Sequence, residues 1–212
     1  MKRYLYNPPG AVKSIFNKFY WETDCNKILL TFDDGPNPNT TEKILAKLDE
    51  NNLEAIFFCV GQNIIKYPKL VEKILNSGHV IGNHTMNHSV VTSLNKSERE
   101  DEILSVNILM KKNYGYDVKF FRPPHGRFTL KLAKELNQMR LKNIMWSLLT
   151  YDYKNKKDIV KFAITKYLKK NSIVVMHDSN KSKDVVIESI DSLVQYSVNN
   201  NFEFGNPTEC LK

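Results

Sequence analysis

Cysteine is scarce in this sequence, and its few cysteines are scattered. The 212 residues include three, Cys25, Cys59 and Cys210, with no CxxC pair. An odd and widely spaced set excludes the disulfide framework that holds small secreted domains together. Cys59 lies in the apolar stretch 55–60, where we expect it to pack as a small hydrophobic side chain. The fold is therefore expected to rely on a hydrophobic core.

Long apolar runs are also missing. No segment approaches the roughly 18 apolar residues of a membrane helix, so no membrane span is expected. The amino terminus has basic residues but lacks the apolar stretch of a signal peptide, which predicts a cytoplasmic location. A chain of 212 residues suggests one domain with a core large enough to need no covalent cross-links.

Acidic residues are fewer than basic ones. The chain carries 31 lysines and arginines against 23 aspartates and glutamates, a formal net charge of +8. Such a surplus can attract anionic polymers, but the lysine runs at 154–157, 169–170 and 181–183 are short and separated. Without a dense basic tract, zinc-finger spacing or an RNA-binding aromatic motif, we expect no nucleic-acid partner. We also expect a monomer.

Short apolar runs alternate with longer amphipathic stretches. Strands are predicted at 28–32, 55–60, 80–81, 118–121, 144–146, 173–176 and 202–204. Helices are predicted at 68–76, 97–113, 129–139, 158–169 and 184–199, and one more begins at Asn39 or Thr40. Seven strands with six intervening helices predict repeated β-α units and a parallel sheet, in an α/β barrel or a doubly wound arrangement.

Polar side chains follow several of the predicted strands. The stretch TFDDGPN places two adjacent carboxylates, Asp33 and Asp34, directly after the first strand. Two such carboxylates repel each other, so either a positive group shares the site or the loop is a wet one. In GNHTMNHS, His84 and His88 are four residues apart, and on a helical turn they would face one metal ion. A cation bound by one aspartate and both histidines would offset the repulsion and keep the other aspartate ionised as a general base.

Other readings of these polar residues remain open. The histidine pair could be a chance surface pair or a helix cap. In FFRPPHGRF, Arg122 lies at a strand end, where it can pair with a catalytic carboxylate or form a structural salt bridge. Trp146, Asp152 and Tyr153 fall near another strand end, where aromatic residues are usually core or rim. His177 ends an apolar strand, a place where histidine is more often a hydrogen-bonded structural group.

The order of these motifs resembles the polysaccharide deacetylase family, which is carbohydrate esterase family four with a NodB-type homology domain. TFDDG is followed by HTxxH, RPPxG, an aspartate before an aromatic residue and an apolar strand ending in His-Asp, over residues 28–178. That family contains N-deacetylases of chitin, chitooligosaccharides and peptidoglycan. The resemblance implies a distorted (β/α) barrel of seven to eight parallel strands. We expect one catalytic domain over 25–212, with residues 1–24 as an extension packing on the barrel.

The resemblance also implies roles for the residues that match the motifs. Asp33 would be the general base acting on a metal-activated water, and His177 the general acid toward the leaving amine. Arg122 would orient the base, and Asp152 would pair with His177. The implied metal ligands are Asp34, His84 and His88, and the implied substrate-binding residues are Pro124, His125, Gly126, Trp146, Tyr153 and Val175. Two histidines and a carboxylate suit one divalent ion, zinc before cobalt, nickel or manganese.

The expected function is a metal-dependent hydrolase that removes N-acetyl groups from an N-acetylglucosamine-containing polysaccharide or oligosaccharide, either peptidoglycan or chitin-like. Two positions depart from the family: His125 stands where Tyr or Phe is usual, and Tyr153 where Trp is usual, which puts the substrate in doubt. The alternatives are an O-acetyl esterase on a glycan such as xylan, and a catalytically silent carbohydrate-binding relative. A two-carboxylate glycosidase is disfavoured, because its carboxylates should flank the scissile bond ~5–9.5 Å apart, whereas Asp33 and Asp34 are adjacent in the sequence.

Overall fold

A computed structural model describes residues 4–211. Within this range, seven parallel strands form one curled sheet in the order β5-β4-β3-β2-β1-β7-β6. The strands are β1 (Leu29–Asp33), β2 (Ala55–Cys59), β3 (Val80–Asn83), β4 (Phe120–Phe121), β5 (Lys142–Asn143), β6 (Leu148–Leu149) and β7 (Ile173–His177). The helices are α1 (Gly10–Ile15), α2 (Thr41–Glu50), α3 (Gly61–Lys66), α4 (Pro68–Asn76), α5 (Lys96–Tyr114), α6 (Leu130–Gln138), α7 (Lys157–Tyr167), α8 (Val186–Asn199) and α9 (Pro207–Cys210). The predicted distorted barrel is confirmed.

The central strand β1 shows how the core is divided. All five of its residues are buried, as expected for a parallel strand covered on both faces. Leu30 and Phe32 belong to the large apolar cluster that includes helix residues such as Ile44. Leu29 belongs instead to a second cluster with Ile56, on the barrel side of the sheet. Since side chains alternate along a strand, Asp33 shares the barrel side with Leu29, which brings it to the mouth of the barrel.

The segment before β1 lies against the strands at the edges of the sheet. Tyr20 N donates to Asn143 O at 2.9 Å, and Met145 N donates to Tyr20 O at 2.8 Å. Farther toward the amino terminus, Leu149 N donates to Tyr6 O at 2.8 Å. The division of the chain at residue 25 stays a prediction. Residues 1–3 of the predicted extension and residue 212 of the predicted domain lie outside the described residues.

Two of the predicted strands are wrong in position. The run 202–204 forms only a single bridge, between Ile28 and Phe204, whereas Leu148–Leu149 is a strand that the sequence did not predict. The run 144–146 follows a strand rather than forming one, because Lys142–Asn143 pairs with β4. A strand of two residues is too short to show the alternation of apolar and polar side chains that identifies a longer strand. The prediction therefore relied on apolar runs, which placed both strands at the wrong residues.

The helices agree better with their prediction. All six predicted helices are present within a few residues of their expected bounds, because their apolar faces span several turns. The three that the sequence missed, α1, α3 and α9, are only six, six and four residues long. Among residues 4–211, no helix combines the length and apolar character needed to cross a bilayer.

Candidate active site

One cleft opens where the parallel strands end. Its lining residues are Asp33, Asp34, His84, His88, His125, Gly126, Trp146, Leu149, Tyr153, Val175, His177 and Lys181. Asp33 is the last residue of β1 and His177 the last of β7, and these two residues are paired in register. The fold thus brings most of the predicted site residues together. Arg122, Asp152 and Pro124 are buried and are not among the lining residues.

Asp34, His84 and His88 form a compact set of possible metal ligands. One ligand atom from each lies within 4.8 Å of the other two. Asp34 Oδ1 is 3.1 Å from His88 Nε2 and 3.7 Å from His84 Nε2. His84 Nδ1 lies 2.8 Å from the Arg122 carbonyl oxygen, which can only accept, so Nδ1 carries the proton and Nε2 offers a lone pair. Two imidazoles and a carboxylate arranged in this way fit a divalent transition metal.

The loop that carries both histidines is not a helical turn, so the predicted helical geometry is wrong. Thr85 has φ +66° and His88 has φ +57°, both in the left-handed region. Asn83 Oδ1 accepts from Thr85 N at 2.8 Å, and Met86 N donates to Glu102 O at 2.9 Å. The imidazoles meet because these bonds to α5 and to the end of β3 shape the loop, and not because of helical spacing.

Burial and charge set the protonation of the ligand set. Burial by itself would raise the pKa of Asp34, but the hydrogen bond to His88 and the charge of His177 outweigh it and lower the pKa. Burial lowers the pKa of His84, against the opposing charges of Asp33 and Asp34. A deprotonated carboxylate beside a neutral imidazole is the state that ligates a metal ion.

Asp33 is held by a buried arginine. Arg122 Nη1 donates to Asp33 Oδ1 at 2.7 Å and to Thr31 Oγ1 at 2.7 Å. Its Nε and Nη2 donate to the carbonyl oxygens of Ile144 and Met145, each at 2.8 Å. The guanidinium is completely buried, and these bonds fix its orientation. One oxygen of Asp33 is therefore bound, and the other is free to act toward the cleft.

His177 is held by Asp152. Asp152 Oδ1 lies 2.7 Å from His177 Nδ1, and its Oδ2 accepts from the His177 backbone N–H at 2.7 Å. Burial by itself would lower the pKa of His177. The charge and hydrogen bond of Asp152 outweigh this effect, with smaller contributions from Asp34 and Asp33, and raise the pKa to about 9. The raised pKa favours the imidazolium form of His177, and its second ring nitrogen is left to act.

The two positions that depart from the family face the site histidines. The His125 ring lies 4.7 Å from the His88 ring, and the Tyr153 ring lies 4.7 Å from the His177 ring. Next to His125, Gly126 has φ +63°, and a Cβ there would lie 2.3 Å from the Trp146 ring. Only glycine allows this close approach, which packs the RPPxG turn against the cleft wall.

Asp178 is a buried carboxyl whose part in the site the sequence did not reveal. The hydroxyls of Thr40 and Thr41 donate to its two oxygens at 2.5 and 2.6 Å. Its backbone N–H donates to Asp33 O at 2.8 Å, and a Cβ at Gly35 would lie 2.4 Å from its Oδ2. Burial raises the pKa of Asp178 to about 6, against the opposing threonine hydroxyls. Asp178 therefore supports the turn that follows Asp33.

Two lining residues were also missed. Leu149 is the last residue of the short strand β6, which apolar periodicity cannot detect. Lys181 comes from the loop after β7 and was grouped with solvated lysines, although it lines the cleft. The one sequence signal for Lys181 was its position four residues after His177.

Comparison with known proteins identifies sequence relatives of this chain. The family model described as polysaccharide deacetylase matches residues 21–144. A peptidoglycan-N-acetylglucosamine deacetylase of Bacillus cereus is 39% identical over 128 residues, 60% of this chain and 46% of that protein. The peptidoglycan-N-acetylglucosamine deacetylase PgdA of Listeria monocytogenes is 32% identical over 207 residues, 96% of this chain and 41% of that protein.

Solved structures show the same fold. The crystal structure of the Bc1960 peptidoglycan N-acetylglucosamine deacetylase, in complex with an N-oxidanyl-benzamide, has a TM-score of 0.88 and 26% identity. The match covers 96% of each of the two chains. This chain spans less than half the length of the two curated relatives named above. Because the family model covers more than half of the sequence, and the similarity to PgdA extends along nearly all of it, the chain belongs to the polysaccharide deacetylase family, carbohydrate esterase family four.

Proposed function

We propose that this chain is a metal-dependent hydrolase that removes N-acetyl groups from a glycan containing N-acetylglucosamine, either peptidoglycan or chitin-like. The observation that carries the proposal is that two firmly held side chains, Asp33 and His177, line the same cleft as one possible metal site. Asp33 is fixed by Arg122 and His177 is fixed by Asp152. The relatives named as peptidoglycan N-acetylglucosamine deacetylases support the substrate class.

The metal would be held by the set Asp34, His84 and His88. This donor set suits zinc first, with cobalt, nickel or manganese as alternatives. A divalent ion there would polarise the acetamide carbonyl and lower the pKa of water from 15.7 toward ~7. His84 is fixed for this role by its bond to the Arg122 carbonyl oxygen.

Asp33 is our proposed general base. With Oδ1 bound to Arg122, Oδ2 receives the proton of the water that attacks the acetamide carbon. Arg122 holds the carboxylate in one rotamer through its bonds to the barrel interior, so the base needs no reorientation during the reaction. A backbone N–H near His125 is our proposed donor to the developing oxyanion.

His177 is our proposed general acid. An amine leaves a tetrahedral intermediate readily only when its nitrogen is protonated. His177 has its Nδ1 engaged by Asp152, so Nε2 delivers the proton, and the raised pKa keeps that proton available at neutral pH. An alkoxide departs from an ester with less need for protonation, so a dedicated acid favours amide over ester hydrolysis.

Acetate release measures this activity directly. The metal-loaded chain is tested on chitooligosaccharides, peptidoglycan fragments and acetylated xylan, with Asp33→Asn as the inactive control. We expect acetate from at least one of the two N-acetylated substrate classes. Release from xylan alone would make the chain an O-acetyl esterase. No release from any substrate would identify a silent carbohydrate-binding relative.

A further inference from the structure

Two thiols, those of Cys25 and Cys210, lie side by side outside the cleft. Cys25 Sγ and Cys210 Sγ lie 2.7 Å apart, although 185 positions separate them in the sequence. Both are free cysteines; Cys210 is fully buried and Cys25 is partly exposed. We propose that Cys25 and Cys210 form a disulfide bond when the protein meets a disulfide oxidant. The distance is shorter than ordinary contact between two sulfur atoms, so the side chains already occupy the place of a cross-link.

The surrounding chain already holds the two cysteines side by side. Asp24 N donates to Cys210 O at 3.2 Å, and Lys27 Nζ lies 2.9 Å from Glu209 Oε1. Gly205 leaves space for the buried sulfur, because a Cβ at that position would lie 2.4 Å from Cys210 Sγ. Forming the bond therefore does not require distant segments to be brought together.

The exchange proceeds in two balanced steps. The more accessible Cys25 attacks a low-molecular-weight disulfide such as oxidised glutathione, releasing one thiol and leaving a mixed disulfide on Cys25. Cys210 then attacks Cys25 Sγ, forming the Cys25–Cys210 bond, and its proton passes to the departing thiolate, which leaves as the second thiol. The protein loses two electrons, which the glutathione disulfide gains. A lasting bond of this kind would favour an oxidising compartment over the cytoplasm.

Thiol counting after oxidation tests this proposal. The chain is incubated with oxidised or reduced glutathione, denatured, labelled with N-ethylmaleimide and analysed by mass spectrometry. We expect three labels on the reduced chain and one on the oxidised chain, at Cys59, together with a linked pair of peptides that contain Cys25 and Cys210. The melting temperature of the oxidised chain should be higher by roughly 5–15 °C.

Cys25→Ser is the matched control, since it should lose both the linked peptides and the rise in melting temperature. Three labels on the oxidised wild type would overturn the proposal. A lasting mixed disulfide with glutathione at Cys25 would also overturn it, because it would show that Cys210 cannot complete the exchange.

The second inference concerns charge at the mouth of the cleft and rests on the proposed deacetylation. Among the cleft-lining residues, Lys181 is the only lysine or arginine. It is exposed, and no ion pair to it is present within residues 4–211.

A second cation lies near the cleft. Lys154 Nζ is 5.2 Å from the centre of the Tyr153 ring, and Tyr153 lines the cleft. We call Lys154 and Lys181 the cationic rim. Asp33 is paired with Arg122, Asp152 with His177, and Asp34 lies beside His84 and His88, so none of these carboxylates forms an ion pair with the cationic rim.

This charge matters because deacetylation converts a neutral acetamide into an ammonium group. On a neutral N-acetylated oligomer each turnover adds positive charge, which the cationic rim and the net charge of +8 repel. On a glycan that also carries carboxylates, the substrate is attracted and the product stays balanced. We infer that Lys181 makes the site selective for an N-acetylated glycan that also carries carboxylate groups.

A pair of substrates that differ only in charge tests this selectivity. One is a peptidoglycan-derived tetrasaccharide with free muramoyl carboxylates, and the other is the same tetrasaccharide with those groups as neutral amides. We expect kcat/KM to be roughly 2–5-fold higher for the acid form, mainly through a lower KM, as is usual for an exposed charge pair. Added salt should reduce the ratio.

Lys181→Gln should bring the ratio of the two kcat/KM values close to one. The matched control is Lys183→Gln, which removes the same charge from an exposed lysine that does not line the cleft and should keep the wild-type ratio. A wild type that turns over both forms equally, or a Lys181→Gln variant that keeps the ratio, would overturn this inference alone. Turnover of neither form would instead count against the proposed function.

Discussion

Arg122 and Asp33, 89 positions apart in the sequence, form a buried ion pair with an Nη1–Oδ1 distance of 2.7 Å. The pair joins β1 to the end of β4 at the point where the cleft opens. The same guanidinium also donates to Thr31 and to two backbone carbonyls. These bonds inside the barrel fix Arg122, and Arg122 in turn fixes the orientation of Asp33. The proposed base is thus positioned by packing rather than by its own loop.

Replacing this arginine should disturb catalysis more than folding. Arg122→Lys keeps the charge but cannot make the same set of bonds, so Asp33 is less well positioned. We expect kcat to fall roughly 10²-fold with metal content unchanged. The matched control is Arg99→Lys, which alters another buried pair, with Glu135 at 2.8 Å, and should lower the melting temperature without changing kcat. Equal kcat for Arg122→Lys and wild type would contradict the positioning role.

Removing one proposed ligand should remove the metal. The purified wild type should contain about one divalent ion per chain, and His88→Ala should lose both the ion and the activity, because Asp34 and His84 alone make a weak site. Elemental analysis by mass spectrometry measures this. His125→Ala serves as control, since His125 lies beside His88 but outside the ligand set and its loss should leave metal content intact. Full activity in a metal-free wild type would rule the assignment out.

The proposed base and acid should be separable from metal binding. Asp33→Asn and His177→Ala should each lower kcat by ~10²–10⁴-fold, equivalent to roughly 3–5 kcal/mol of activation free energy. Both variants should retain the metal, because neither residue belongs to the ligand set. Turnover and metal content are measured on the same preparations. Near-normal turnover in either variant would mean that the role of that residue is wrongly assigned.

Asp152 should set the basic limb of the pH–rate profile. Its charge and hydrogen bond overcome burial and raise the pKa of His177 to about 9, so the acid stays protonated until the pH rises through that region. Asp152→Asn removes the charge while burial remains, so the basic limb should move to lower pH and the maximal rate should fall. Activity measured from about pH 5 to about pH 10, with metal content as a check, tests this.

Lys154→Gln is the control for that experiment. Lys154 is exposed and close in sequence, but it lies over Tyr153 and does not hold His177. Its removal should leave the basic limb in place. If Asp152→Asn lost stability while its basic limb stayed where it is in the wild type, Asp152 would have only a structural role.

The sequence by itself determined the family and most of the residues that line the cleft. Motif residues such as Asp33, His84 and His177 directly follow or end short apolar runs, and the carboxyl ends of parallel strands meet at one edge. Once a parallel sheet is inferred, residues far apart in sequence must therefore converge. The long helices could also be predicted from the sequence, because an apolar face that repeats over several turns is a local property of the sequence.

Tertiary structure decided what local patterns do not encode. The His84–His88 pair meets through left-handed residues held by α5, although its spacing suggested a helix. Strand Leu148–Leu149 exists because it pairs with β7, since two residues have no periodicity of their own. Cys25 and Cys210 are neighbours only because the segment before β1 contacts α9. Each of these features depends on contacts between segments distant in sequence, and such contacts form only when the whole barrel closes around its core.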